Sequence, residues 1–258
     1  MVQVIHFIVA YAASVIGAIS GIGGGIIIKP LLDRIAMFDI IQINFLSGCT
    51  VLAMTAMALI RNRSSEIVIH KKIGGIIAVS GIFGGLAGKY LFNLLLDAVS
   101  QPKAVMTIQT LILLILTVGV LIFTIFKQRV SPRHHTHAVI CILTGLILGL
   151  TGAFLGIGGG PINLMVLYLL FAMDSKTAAI NSIFVIFFSQ LASLLLTITT
   201  GNVPDFDLLV LILMIIGGIL GALSGSAISR RITHRRVDVI FMAVLGVLIV
   251  ITTSNLLI

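Results

Sequence analysis

The sequence predicts an all-α integral membrane protein made of two inverted repeats, each with a glycine-broken pair of short helices and three spanning helices. Three observations predict it. Of 258 residues, 59% are hydrophobic and 9% are charged, with a mean hydropathy of +1.25, whereas a soluble domain carries about 25% charged residues. The pentapeptide Gly21-Ile22-Gly23-Gly24-Gly25 recurs 135 positions later as Gly156-Ile157-Gly158-Gly159-Gly160. The basic residues gather in three short gaps between apolar stretches.

The elements follow in order. The N-terminus MVQVIHF has no basic n-region, so the segment 2–20 is expected to be a retained helix and not a cleaved signal. The first glycine run ends it, since each glycine lowers helix stability by about 1 kcal/mol relative to alanine. The segment 26–37 resumes for about 12 residues, or roughly 18 Å. Further on, 73–96 and 104–126 are long enough to cross about 30 Å of hydrocarbon. The second half runs as 138–155, the second glycine run, 162–173, 175–200, 208–229 and 237–258. About five membrane passes per half are expected, two of them short. The chain reads as a single transmembrane domain over 1–258, with repeat 1 at 1–127, a cytoplasmic linker at 128–137 and repeat 2 at 138–258.

Charge sets the orientation. Arg61, Arg63, Lys71 and Lys72 lie in one gap, Lys127, Arg129 and Arg133 in a second, and Arg230, Arg231, Arg235 and Arg236 in a third. These hold 11 of the 16 Lys and Arg residues, the excess that marks cytoplasmic loops. The net charge of +8 is thus explained by topology, and no nucleic-acid partner is expected. The loop 201–207, with Asp205 and Asp207 and no base, reads as external. The chain then crosses an even number of times between 127–137 and 173–176, so 138–155 and 162–173 form an out-and-back pair. By the same logic 2–20 and 26–37 form such a pair from the external side.

The repeat extends beyond the glycines. Asp39 and Asp174 each follow their first glycine by 18 residues, and Gly81, Gly84 and Gly88 match Gly218, Gly221 and Gly225 at an offset of 137. The latter read as small-residue faces for close helix packing. The flanking charges reverse between halves: the basic loop 61–72 corresponds to the acidic 201–207. Like sequence with opposite loop charge is the signature of an inverted repeat.

Broken backbone persists in hydrocarbon only where protein buries it or it lines a cavity, and paired interruptions in two halves point to a transporter's binding site. A helix starting at each glycine run presents free N–H groups and the positive end of its dipole. Pro161 suits such a start, because its missing N–H costs nothing in the first turn. Two converging N-termini form a cradle for an anion. Gly21, Gly23, Gly24, Gly25, Gly156, Gly158, Gly159 and Gly160 are therefore the candidate substrate-binding residues. Asn163 lies one turn past the second break. Asn44, Asn181 and Ser182 are further hydrogen-bonding candidates, weighed evenly against helix–helix bonding for the asparagines; Gln190 reads as packing. Lys29, four residues past the first break, either faces the cavity or snorkels outward.

Other chemistries fit less well. Neither glycine run is a P-loop, which needs a preceding strand and a Gly-Lys-Ser/Thr ending, nor a dinucleotide fingerprint. Cys49 and Cys141 are too few and too separated for a disulfide framework or metal cluster. His134-His135-Thr136-His137 has no Cys or carboxylate nearby and reads as a solvated loop. No metal or cofactor is expected.

With these residues in view, the chain resembles the TauE/SafE sulfite exporter family over essentially its whole length. The first run continues Ile26-Ile27-Ile28-Lys29-Pro30-Leu31-Leu32, and the second Pro161-Ile162-Asn163-Leu164-Met165. Gln42-Ile43-Asn44-Phe45 and Ala178-Ala179-Ile180-Asn181-Ser182 are similar to the family's small-residue and Thr-Ser stretch. Both copies carry Asn where Thr is usual, Phe45 stands in place of Ser, and Lys29 replaces an apolar residue before the proline. The resemblance implies transport of sulfite, sulfonates or related sulfur anions; these departures leave the particular anion open.

The expected function is a multi-pass transporter of small anions in the cell (plasma or inner) membrane, working by alternating access, with export as what the resemblance implies. Its partners are the anionic substrate and membrane lipids, with the oligomeric state open. The acids and His6 fall at helix ends or loops, so no coupling proton site stands out, and a channel-like facilitator remains an alternative. An intramembrane enzyme is the alternative from another class. It needs a nucleophile–base pair or metal triad at depth, and Ser182 and Ser189 have no histidine in an apolar segment to activate them.

Overall fold

The computed structural model describes residues 2–35, 38–63, 71–99, 102–135, 137–157 and 159–257. These form ten α-helices: α1 Val2–Ser20, α2 Gly25–Ile35, α3 Ile40–Asn62, α4 Lys71–Ala98, α5 Pro102–Phe126, α6 Ala138–Phe154, α7 Pro161–Phe171, α8 Ser175–Thr199, α9 Leu208–Arg231 and α10 His234–Leu256. Among the described residues there is no strand. Seven helices, all but α2, α6 and α7, are long and apolar enough to cross a membrane. Large apolar side chains stay exposed around the bundle, among them Phe83, Ile115, Ile122, Val247 and Val250. An open apolar surface of this kind suits contact with lipid tails.

Acidic side chains start several of these helices. Asp174 accepts from the amides of Lys176 at 3.0 Å and Thr177 at 3.1 Å, and Asp207 accepts from the amide of Leu209 at 2.8 Å. The amide of Asp39 donates to Gln42 Oε1 at 3.1 Å. These are helix caps that also place negative charge at the positive dipole end. The repeated Asp39 and Asp174 thus sit just ahead of α3 and α8.

Glycine stripes bring helix pairs into backbone contact. A Cβ on Gly84 or Gly88 would collide with the carbonyls of Leu146 and Leu150 on α6, and one on Gly221 or Gly225 with those of Tyr11 and Val15 on α1. The close-packing expectation for these stripes matches what they touch. The pairs α4–α6 and α1–α9 are the most extensive in the bundle. The pairs α4–α8 and α3–α9 come next, and α5 packs on α10 and α3 on α8.

Polar contacts divide the chain between two ends. At one end, Lys127 donates to Asp238 Oδ2 at 2.7 Å and to Ser175 at 3.0 Å, His234 meets Asp174 at 3.0 Å, and Arg230 donates to the carbonyl of Arg61. This end carries the basic loops. At the other, Arg34 donates to Ser254 at 2.7 Å, Gln42 donates to the carbonyl of Asp205 at 2.7 Å, and the Phe45 and Phe206 rings pack tilted with centroids 5.1 Å apart.

One dimension departs from the sequence expectation. α1 has 19 residues and α6 has 17, so each runs most of the way through the hydrocarbon at 1.5 Å per residue. Only α2 and α7, with 11 residues each, are half-length. In each pair the longer helix comes first, the glycine run follows it and the half-length helix comes last.

Candidate functional site

The two glycine runs meet. Gly25, the first residue of α2, lies so close to the carbonyl of Ile157 that a Cβ there would collide with it. The Ile157 side chain lies against Gly160, where a Cβ would sit 3.4 Å from Cδ1. Gly160 is the N-cap residue of α7. A single residue of the second break therefore touches the starts of both half-length helices.

Local geometry explains the glycines. Gly21, Gly23 and Gly156 have φ of 76°, 76° and 66°, a left-handed conformation that side chains disfavour. Gly21 also lies against the backbone of Ala179, and Gly156 against the amide of Asn44. Gly159 packs on Ile186, and Gly23 faces the same side chain, with 3.3 Å from its would-be Cβ to Ile186 Cδ1. Gly24 is looser: a Cβ would meet Ser14 Oγ at 3.3 Å and Met54 Sδ at 3.4 Å. Gly158 lies outside the described residues.

The helix starts carry open donors. The amides of Ile27 and Ile28 both approach the carbonyl of Gly24 at 3.0 Å, and that of Asn163 approaches Gly160 at 3.1 Å. The amides of Gly25, Ile26 and Ile162 have no hydrogen-bond acceptor among the described residues. They are the orphan donors expected in a first helical turn, here buried at the centre of the bundle.

The side-chain candidates divide into three groups. Asn163 and Ser182 are buried together, with Asn163 Nδ2 donating to Ser182 Oγ at 3.2 Å. Asn163 Oδ1 and Asn44 Oδ1 have no partner among the described residues. Asn181 donates to the carbonyl of Thr177 at 2.8 Å, one turn back on its own helix, so that amide group braces α8. Lys29 is buried, and its ammonium donates to the carbonyl of Leu155 at 2.7 Å and to Gln109 Oε1. Gln109 Nε2 in turn donates to the carbonyl of Phe154. Lys29 thus turns inward, toward the residue that precedes the second glycine run, and does not snorkel outward. Its ammonium satisfies a carbonyl left open at the C-terminal end of α6 and places positive charge at the negative end of that helix dipole.

Four contributors escaped the sequence reading. Ser14 is buried on α1 beside Gly24, with no partner for its hydroxyl among the described residues. Ile186 fills the space between the runs. Gln109 caps α6, and Lys89 lies in a cavity on the second run's side. No local motif marks any of them; a lysine inside a long apolar helix was the one available signal, for Lys89. The histidines read as a solvated loop include His134 and His137, both exposed, and half-buried His135; Thr136 lies outside the described residues.

Two narrow cavities reach the ends of the glycine runs from opposite ends of the bundle. From the basic end, a cleft beside Lys127, Asp238 and Tyr168 reaches Ser20, the residue before the first run. From the opposite end, a cavity beneath Pro204 reaches Gly156 and Asn44. The described glycines of both runs are buried, with Ile157 against Gly25 and Gly160 and Ile186 against Gly23 and Gly159.

The comparisons with known proteins agree with this architecture. A family model described as sulfite exporter TauE/SafE matches residues 6–252. The chain is 24% identical over 275 aligned positions, covering 94% of each chain, to a Bacillus subtilis (strain 168) protein named probable membrane transporter protein YunE. No solved structure matches. A match spanning both glycine runs and nearly all ten helices establishes that this multi-pass membrane protein belongs to the sulfite exporter TauE/SafE family.

Proposed function

We propose that the protein carries a small anion, a sulfur oxyanion such as sulfite or an organosulfonate, across the cell membrane by alternating access. The anion binds at the midplane where the two glycine runs meet. The contact of Ile157 with both Gly25 and Gly160 carries this reading, because it joins the positive ends of α2 and α7. In a low-dielectric interior two such ends act strongly on one negative charge. The amides of Gly25, Ile26 and Ile162, without an acceptor among the described residues, supply hydrogen bonds without a buried cation, and Asn163, Ser182 and Asn44 stand beside them. Closure on both sides by Ile157 and Ile186 supports a carrier over an open channel. The choice of sulfur follows the family's name, as does the direction, export.

The matched pairings α1–α9 with α6–α4, α3–α9 with α8–α4, and α2–α10 with α7–α5 support two inverted repeats, 1–127 and 138–258, joined by the linker 128–137. With the basic loops at one end, that end is the cytoplasmic one.

The test is flux of sulfite, an organosulfonate, thiosulfate, sulfate and a carboxylate in proteoliposomes of purified protein. Saturable, mutually competitive flux of sulfur oxyanions is expected, with little movement of neutral or cationic solutes. Tight binding of a cation, with no response to any sulfur anion, overturns the reading.

A further inference from the structure

We propose that a second anion-binding site, centred on Lys89, lies beneath the loop 201–207 and receives the transported anion on the face opposite the basic loops. It rests on the carrier reading and adds to it a full positive charge that the central site lacks.

Lys89 lies on α4 at 9% exposure, and its ammonium sits 5.0 Å from the centroid of the Phe92 ring. Among the described residues it makes no ion pair and no hydrogen bond. The acids of the nearby loop, Asp205 and Asp207, do not pair with it. An ammonium buried in a membrane bundle without a counter-ion is costly, and a phenyl face offsets only part of that cost. The missing partner is a negative charge supplied from outside the chain.

The surroundings are built for one. Lys89 lines a cavity of about 20 Å³ shared with Asn44, Gln190, Ser193 and Thr197. Asn44 and Gln190 are at 9% and 4% exposure, and Asn44 Oδ1 and Gln190 Oε1 have no partner among the described residues. Each amide presents N–H groups to an anion by turning over, since its oxygen and nitrogen are near-equivalent in shape. The cavity's outer wall is Pro204 and its inner wall is Gly156, so an anion leaving it toward the centre meets the second glycine run at once. In this closed form it has room for about one water molecule, and an oxyanion enters as the loop moves outward. A small oxyanion or sulfonate fits these donors; a cation does not.

The test uses sulfite as probe, in equilibrium binding to purified protein and in proteoliposome flux, for the wild type, Lys89→Gln and Lys89→Arg. Loss of a charge-assisted contact is expected to raise Kd and KM for sulfite about tenfold or more in Lys89→Gln, with kcat changed less than about threefold. Lys89→Arg is expected to stay within about threefold of wild type, because it keeps the charge. Should Lys89→Gln fail to fold, Ser193→Ala keeps the charge, removes one donor and is expected to raise KM about threefold. Wild-type flux with unaltered Kd and KM in the folded variants overturns this site and leaves the carrier reading standing. Wild-type protein that neither binds nor moves sulfite, an organosulfonate or sulfate overturns both.

Discussion

The ammonium of Lys29 donates to the carbonyl of Leu155 at 2.7 Å, so the half-helix that follows the first glycine run holds the residue that precedes the second. The two residues are 126 positions apart. The bond ties α2 to the C-terminal end of α6, and Gln109 completes the tie by serving both Lys29 and Phe154. Through it, the spacing of the two breaks depends on one buried cation.

Replacing Lys29 should therefore loosen the centre. Lys29→Met removes a hydrogen bond to a charged group, worth about 1.5–3 kcal/mol, and leaves the carbonyl of Leu155 unpaired. A fall of several degrees in the melting temperature of detergent-solubilised protein is expected, with reduced flux. Wild-type melting and flux in this variant would show that Lys29 holds nothing.

The glycines of the first run differ in how much room they have, and function should follow that difference. Gly25→Ala drives a methyl into the carbonyl of Ile157, whereas Gly24→Ala meets Ser14 Oγ at 3.3 Å, Met54 Sδ at 3.4 Å and the backbone of Ala13 at 3.5 Å. Flux should fall at least about tenfold in Gly25→Ala, as expected when a small misplacement disturbs a binding geometry. Gly24→Ala should retain most of it, while Gly24→Leu, too large for that space, should lose it with membrane insertion intact. Equal behaviour of the two alanine variants in proteoliposomes would contradict the packing seen here.

Ile186 is fully buried and faces Gly23 and Gly159 together. Ile186→Ala should destabilise the protein by about 2–4 kcal/mol through the cavity it leaves. It should also raise passive sulfite leak through proteoliposomes, because the plug between the two approaches is shortened. A tight variant with unaltered leak would place the closure elsewhere.

At the basic end, Asp174 predicts a pH effect. Partial burial pushes its carboxyl up, but hydrogen bonds from the hydroxyl and amide of Thr177, the nearby His234 and the amide of Lys176 together hold it below the usual carboxylate range. A lowered folded-state pKa contributes stability that is present above the unfolded value, about 3.9, and is lost as pH falls through the folded value. Because the group is half exposed the effect is small. Asp174→Asn should lower the melting temperature slightly at pH 7 and flatten its decline below pH 4. Parallel melting curves for variant and wild type from pH 7 to pH 3 would remove Asp174 from the account.

The ten helices were legible in the chain because what defines them is local. Run length, glycine runs and charged gaps locate the passes; for the nine segments bounded in the sequence the structural ends lie within about three residues, while α3 followed only from the number of passes expected per half. Asp39 and Asp174 were visible as a repeat, and their place before α3 and α8 follows from the same local rules of capping. The bounds of α1 were legible, 2–20 in both readings, but hydropathy does not show which distant helices that segment packs against. Nor does sequence alone show that Ile157 joins the two helix starts, that Ile186 fills the gap between the runs, or that Lys29 turns toward Leu155. Each of these depends on side chains brought together from distant parts of the chain, and their energies exist only once the helices have packed. Lys89 marks the boundary between the two kinds of knowledge. Its charge in an apolar helix is written in the sequence, but its separation from every described carboxylate, and the amides it faces, were decided by the tertiary structure.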